Sequence, residues 1–271
     1  MMTGTAAGVP YLALPPHDTG DNPSLIVGWH LSDPPRTEAA MAAALPMAQL
    51  PAWRVYFGLP LHGSRLPAGG HDEVMRLAYE DAVVNNYGAM VEQAVAEFPA
   101  ALAAVRSQLG VDERPIGMFG GSSGSGVAML SLLETDVEVS ALAVVSPMVQ
   151  LASIVAANEK LFGVTYDWHD TARKIAARWD LLARAAEFGP KAAAVRIIVG
   201  EKDTPAVTEP AEKLWQTLSR DVLPADRVSL VTIPGMAHAL AEPPGDDAAP
   251  QTADAARVEA AMTEWFARWM K

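Results

Sequence analysis

The sequence predicts one α/β domain, a doubly wound, mostly parallel sheet with helices on both faces and a small lid-like insertion. Three observations predict it. Short β-type runs alternate with longer Ala-rich stretches of helical period, the pattern of a parallel sheet buried on both faces. The chain has 271 residues, the length of one large α/β domain and cramped for two. Half of it is apolar and 19% charged, which fills a large core and lies outside the composition of disordered chains.

Strands are expected at Tyr11 to Leu14, Ser24 to Trp29, Trp53 to Phe57, Ile116 to Phe119, Ala141 to Val145, Val195 to Val199 and Val228 to Ile233. Helices are expected at Glu38 to Leu45, across Asp72 to Leu109, after Gly124, at Pro210 to Ser219 and at Thr252 to Met270. Pro99 removes a backbone donor and clashes with the preceding turn, so the long stretch should divide there or start there. In the last helix Ala256, Met262, Trp265, Phe266 and Trp269 recur mostly at threes and fours behind Thr252, an N-cap residue type. The segment 148–191 is far longer than an ordinary connection; it holds Tyr166, Trp168 and the helical run ARKIAARWDLLARAAEF, and reads as a cap or as a long crossover. The Pro/Gly/Asp-rich EPPGDDAAPQT reads as a solvated surface link.

The net charge is −12, which opposes a sequence-independent hold on nucleic acid or an anionic membrane. No cysteine is present, so thiolate nucleophiles, zinc ribbons, iron–sulfur clusters and disulfides are excluded. The first residues lack a basic n-region and a sustained apolar run, and no stretch is apolar enough to span a bilayer, so a soluble, cytoplasmic protein is expected. The histidines show no metal-ligand spacing, and no metal or cofactor is expected. The Ala- and Pro-rich composition is like that of proteins from high-GC bacteria.

The segment PIGMFGGSSGSGVAMLSLLE is the most informative. An apolar run ends in Gly120-Gly121-Ser122-Ser123-Gly124 and a helix-like stretch follows: G-x-S-x-G between strand and helix. A serine exposed on so sharp a turn needs small residues two before and two after it. A dinucleotide cradle would need glycine where Met129 stands, and a P-loop would need a lysine.

A serine nucleophile needs a base and an acid, which in doubly wound hydrolases follow in the order Ser, Asp or Glu, His, each beyond a later strand. After VRIIVG comes EKDTP with Asp203; after RVSLVTIPG comes MAHAL with His238. The other five histidines all precede Asp203, so His238 alone completes the order. Glu201 is the nearest substitute acid. SPMVQLASIVAAN, after an earlier strand, contains no carboxylate.

On these motifs the chain resembles the α/β-hydrolase superfamily from about Tyr11 to the C-terminal helix. The resemblance implies that Ser122 attacks a carbonyl, His238 carries the proton and Asp203 orients the imidazole. It also implies an oxyanion hole with one donor from the Ser123 amide. The second donor comes in that superfamily from a loop that often reads His-Gly-x, whereas this chain reads LIVGWHLSDPP. If Trp29-His30 take the His-Gly places, Leu31 donates; if His30-Leu31 do, Ser32 donates, and Leu31 is the preferred reading.

The expected function is a carboxylesterase-like serine hydrolase acting on a small acyl substrate, with thioesters, lactones or small amides open to the same machinery. Acyl transfer and a small peptidase are alternatives. A peptidase of the prolyl oligopeptidase group would usually carry a propeller for which there is no room, so an esterase is the simpler expectation. A non-catalytic ligand-binding protein of this fold is the reading outside enzymology. Tyr166, Trp168 and Met236 are the candidates for lining the substrate site.

Overall fold

The apolar runs take their places as strands because their neighbours cover both faces. The computed structural model of the chain describes residues 1–17 and 23–270. Among them eight strands form one sheet: β1 (Met2–Ala6), β2 (Val9–Leu14), β3 (Ser24–Trp29), β4 (Ala52–Phe57), β5 (Ile116–Gly121), β6 (Val139–Val145), β7 (Ala194–Gly200) and β8 (Val228–Ile233). Their spatial order is β1-β2-β4-β3-β5-β6-β7-β8, antiparallel through the first three and parallel from β4 onward. The helices are α1 (Glu38–Ala44), α2 (Gly70–Glu80), α3 (Ala89–Leu109), α4 (Ser123–Glu134), α5 (Leu151–Phe162), α6 (Asp170–Arg178), α7 (Phe188–Lys191), α8 (Pro205–Thr217) and α9 (Ala253–Trp269).

Strand alternation sorts side chains into two core layers. In β6, Leu142 and Val144 join the layer filled by α3, α4 and α8, whereas Ala141, Ala143 and Val145 join the layer filled by α1 and α9. Nearly every residue of β5, β6 and β7 is buried, as expected of central parallel strands. Their carboxyl ends open along one edge, where the loops that follow them converge.

Four expectations are corrected. The sequence reading has no counterpart to β1, which pairs with β2 through the two-residue turn Ala7-Gly8, both at positive φ. α3 runs through Pro99; the ring sits on the exposed side while Phe98, Ala101, Leu102 and Val105 stay buried on the other. The division falls instead at Asp81, whose carboxylate accepts the Val83 and Val84 amides and starts a π-helical segment, Ala82–Gly88. α8 begins at Pro205, not Pro210, because Thr204 is its N-cap and Pro205 its first residue, a place that needs no donor. The run ARKIAARWDLLARAAEF stops as a helix at Arg178, since the buried Trp179 turns inward, packs on Gly126 and donates its indole N–H to the Met148 carbonyl.

α9 buries Met262, Trp265 and Phe266 behind its Thr252 cap, but Ala255 and Val258 face the sheet where the periodicity placed Ala256. Segment 242–252 is bonded to the main fold: the Arg36 amide donates to the Gly245 carbonyl and Thr37 Oγ1 to the Asp246 carbonyl. No helix among the described residues is long and apolar enough to cross a membrane.

Candidate active site

Three strand ends bring Ser122, Asp203 and His238 together. Ser122 sits between β5 and α4 at φ 46°, ψ −117°, a strained conformation for a residue with a side chain. The turn is tight enough that a Cβ at Gly120 would collide with the Gly124 carbonyl, and one at Gly124 with the carbonyls of Trp29 and His30. The chain therefore needs glycine on both sides of the serine. Ser122 donates its amide to Val145, and its carbonyl accepts from Ser125 Oγ at 2.5 Å.

Asp203 follows β7 with its carboxylate fully buried. It accepts the Thr204 amide at 2.7 Å and faces His238 Nδ1 at 2.9 and 3.0 Å through its two oxygens. His238 follows β8, and its Nε2 lies 2.9 Å from Ser122 Oγ. In the neutral tautomer that suits these partners, Nδ1–H donates to Asp203 and Nε2 accepts from the serine hydroxyl. Burial acts against the imidazolium, but the hydrogen bond and charge of Asp203, with a smaller contribution from Asp33, outweigh it and raise the His238 pKa above its ordinary value.

Backbone contacts hold the histidine loop against β7. A Cβ at Gly200 would meet the Met236 and Ala237 carbonyls, so glycine is required there too. The Lys202 amide donates to Met236, and the Glu201 carboxylate accepts the Gly235 amide at 2.7 Å. Glu201 thus braces the loop, while the carboxylate on the imidazole belongs to Asp203. Ser146 Oγ donates to the His238 carbonyl at 3.4 Å, a contact to which no sequence motif points.

The loop after β3 supplies the other side. The amide of Leu31, the preferred second donor, is engaged with the Pro35 carbonyl, and its side chain is fully buried. Ser32 is next, and its Oγ donates to Ser123 Oγ at 2.9 Å, which sets Ser32 opposite the start of α4. As the first residue of α4, Ser123 has an amide without an intrahelical acceptor. His30 fixes this loop from beneath: its Nδ1–H donates to the Leu31 carbonyl at 2.7 Å and its Nε2 accepts the Leu59 amide at 3.1 Å. Burial, with His62 alongside, pushes the His30 pKa down to about 3, so the ring stays neutral in this role.

The candidate lining residues divide. Met236 is wholly buried in the layer under α9. Tyr166 donates to Asp81 Oδ1 at 2.5 Å and meets Trp168 edge to face, with ring centres 5.0 Å apart. Tyr166 thus joins segment 148–191 to Asp81, the N-cap of the π-helical segment. Asn158, from α5, donates to Tyr87 Oη at 3.2 Å in that same segment. Met148 opens the insertion beside the site, its Sδ accepting from Ser123 Oγ at 3.4 Å. Among the described residues no group of three His, Asp or Glu is placed to hold a metal.

The profile of the prolyl oligopeptidase family matches residues 77–271, the part of the chain that carries all three strand-end residues. The chain belongs to this family. Membership identifies it as a serine hydrolase and a member of the α/β-hydrolase superfamily. The sequence alone gave this family no advantage over an esterase. No curated relative matches the chain. Solved structures share its fold. TT1662 from Thermus thermophilus has a TM-score of 0.65 at 17% identity, covering 100% of this chain and 99% of that one. A Mycobacterium tuberculosis puromycin-hydrolyzing peptidase has a TM-score of 0.66 at 17% identity, covering 99% of this chain and 39% of that one. Est1E from Butyrivibrio proteoclasticus has a TM-score of 0.58 at 16% identity, covering 99% of this chain and 98% of that one.

Proposed function

We propose that this member of the prolyl oligopeptidase family cleaves small carboxylic esters through an acyl-enzyme on Ser122. The observation that carries the reading is the continuous line Ser122–His238–Asp203, with hydrogen-bond distances on both nitrogens of the imidazole. Ser122 Oγ attacks the acyl carbon as its proton passes to His238 Nε2, and the imidazolium that forms is stabilised by Asp203. The carbon–oxygen bond then breaks and the same proton goes to the departing alkoxide. Water attacks the acyl-enzyme, giving its proton to Nε2, and Ser122 leaves with that proton as the acid is released.

The tetrahedral oxyanion is placed between the Ser123 and Ser32 amides, with the N-terminus of α4 adding a favourable dipole. Ser32 takes the part that Leu31 cannot, because the Leu31 amide is committed to Pro35. On this reading segment 148–191 is a small cap over a pocket for the acyl substrate, supported by Met148 at its start and by the Asn158 and Tyr166 contacts to 81–87.

Family membership favours a second reading, amide or peptide cleavage by the same residues. Matched substrates separate the two: kcat/KM is measured for 4-nitrophenyl butyrate and for the corresponding 4-nitroanilide, with Ser122→Ala as control. Ester cleavage exceeding anilide cleavage by more than the intrinsic difference between the two bonds, and lost in the variant, is expected. Comparable turnover of the anilide assigns the site to amides instead.

A further inference from the structure

A second carboxylate stands beside the imidazole. Asp33 Oδ2 lies 3.6 Å from His238 Nε2, the nitrogen that faces Ser122. The two acids flanking the ring differ: the Asp203 side chain is 0% exposed and engages Nδ1, whereas that of Asp33 is 55% exposed and lies by Nε2, the nitrogen that must return the proton to a leaving group. Among the described residues Asp33 forms an ion pair with His238 and with no lysine or arginine. The loop is held in place, with the Leu31 amide on the Pro35 carbonyl and the Leu240 amide on the Pro34 carbonyl.

A charge in that position works against the cleavage of a neutral ester. Negative charge develops on the substrate a few ångströms away, and the two like charges repel. Asp33 also helps to hold His238 protonated, which withdraws the base that Ser122 needs. A positive charge on the substrate offsets both effects. Its position follows from the geometry: the departing oxygen must come within about 3 Å of Nε2, so a cation two carbons beyond that oxygen reaches the carboxylate. Tyr87 lies on the π-helical segment, where burial pushes its phenol up against the hydrogen bond from Asn158, with a smaller contribution from the Asp33 charge.

Resting on the serine hydrolase reading, we propose that Asp33 is a specificity determinant that selects substrates with a cationic leaving group, of the amino-alcohol ester class. The interaction favours the transition state because the cation neutralises Asp33 while charge develops beside it.

The test uses the whole chain and five ester probes. The 2-(trimethylammonio)ethyl and 3,3-dimethylbutyl butyrates have the same shape and differ in charge. The 4-nitrophenyl esters of alanine and propionate place the charge on the acyl side instead. In the native protein kcat/KM for the charged butyrate should exceed that for its neutral isostere by about tenfold or more, a ratio that falls to about two or less in Asp33→Asn and is kept in Asp33→Glu. Each ratio is internal to one protein, so partial misfolding of a variant does not move it. A native ratio near one, a ratio unchanged in Asp33→Asn, or a preference confined to the acyl-side ammonium overturns the proposal. Release of 4-nitrophenol from 4-nitrophenyl butyrate that is lost in Ser122→Ala shows that the serine reading stands even then; its absence from the native protein overturns both.

Discussion

The two sides of the site are built differently. On one side Ser122, Asp203 and His238 are set by backbone packed so closely that Gly120, Gly124 and Gly200 admit no side chain. On the other, residues 31–37 follow an irregular course, kept in place by hydrogen bonds to residues 240–246 and by the neutral His30 beneath them. The first arrangement fixes reacting atoms and tolerates almost no change. The second leaves Asp33 and Ser32 partly exposed, so residue type can vary there without altering the backbone frame. Chemistry is assigned to the rigid side and selectivity to the adjustable one.

The contrast can be broken most severely at the serine. Ser122→Ala should lower kcat by about 10⁴- to 10⁶-fold in an ester assay, with Tm nearly unchanged, because backbone packing and not the hydroxyl sets the turn. Asp203→Asn should cost about 10⁴-fold by leaving the imidazole in the wrong tautomer, while Glu201→Gln, which touches only the Gly235 amide, should cost far less. If the Glu201 change proves the more damaging, the acid is misassigned. Gly124→Ala should be destabilising by about 1–3 kcal/mol in denaturant melts, since the new methyl meets backbone on the loop after β3.

Milder changes sharpen the comparison. Activity requires neutral His238, whose pKa is raised, so the acid limb of kcat/KM should lie above the ordinary imidazole range. Asp203 and Asp33 are the charged groups that raise it. Asp33→Asn removes one of them and should move the limb to lower pH; an unmoved or rising limb would contradict the placement of Asp33 beside Nε2. Ser32→Ala keeps the backbone amide and loses the hydroxyl contacts to Ser123 Oγ and Met90 Sδ, so kcat should fall by less than about tenfold.

The readable part of the site was the part that strands determine. Each triad candidate follows an apolar run, and the chain order of Ser122, Asp203 and His238 needs no knowledge of distances. The oxyanion loop could not be read in the same way, because whether Leu31 or Ser32 has a free amide depends on the Pro35 carbonyl folding back. Asp33 carried no periodic or motif signal; it matters because it meets a histidine about two hundred positions away. The sheet was legible except for β1, whose cue was the two-residue Ala7-Gly8 turn. Met236 looked like a substrate contact through proximity to His238 in sequence, whereas its side chain points into the core. Pro99 misled because a proline rule takes no account of which helix face meets water.

The central claim, an activated Ser122, is tested most directly by intact mass after exposure to a fluorophosphonate. One phosphonyl adduct on the native chain and none on Ser122→Ala is expected. An unmodified native chain, or an adduct that persists in the variant, would contradict it.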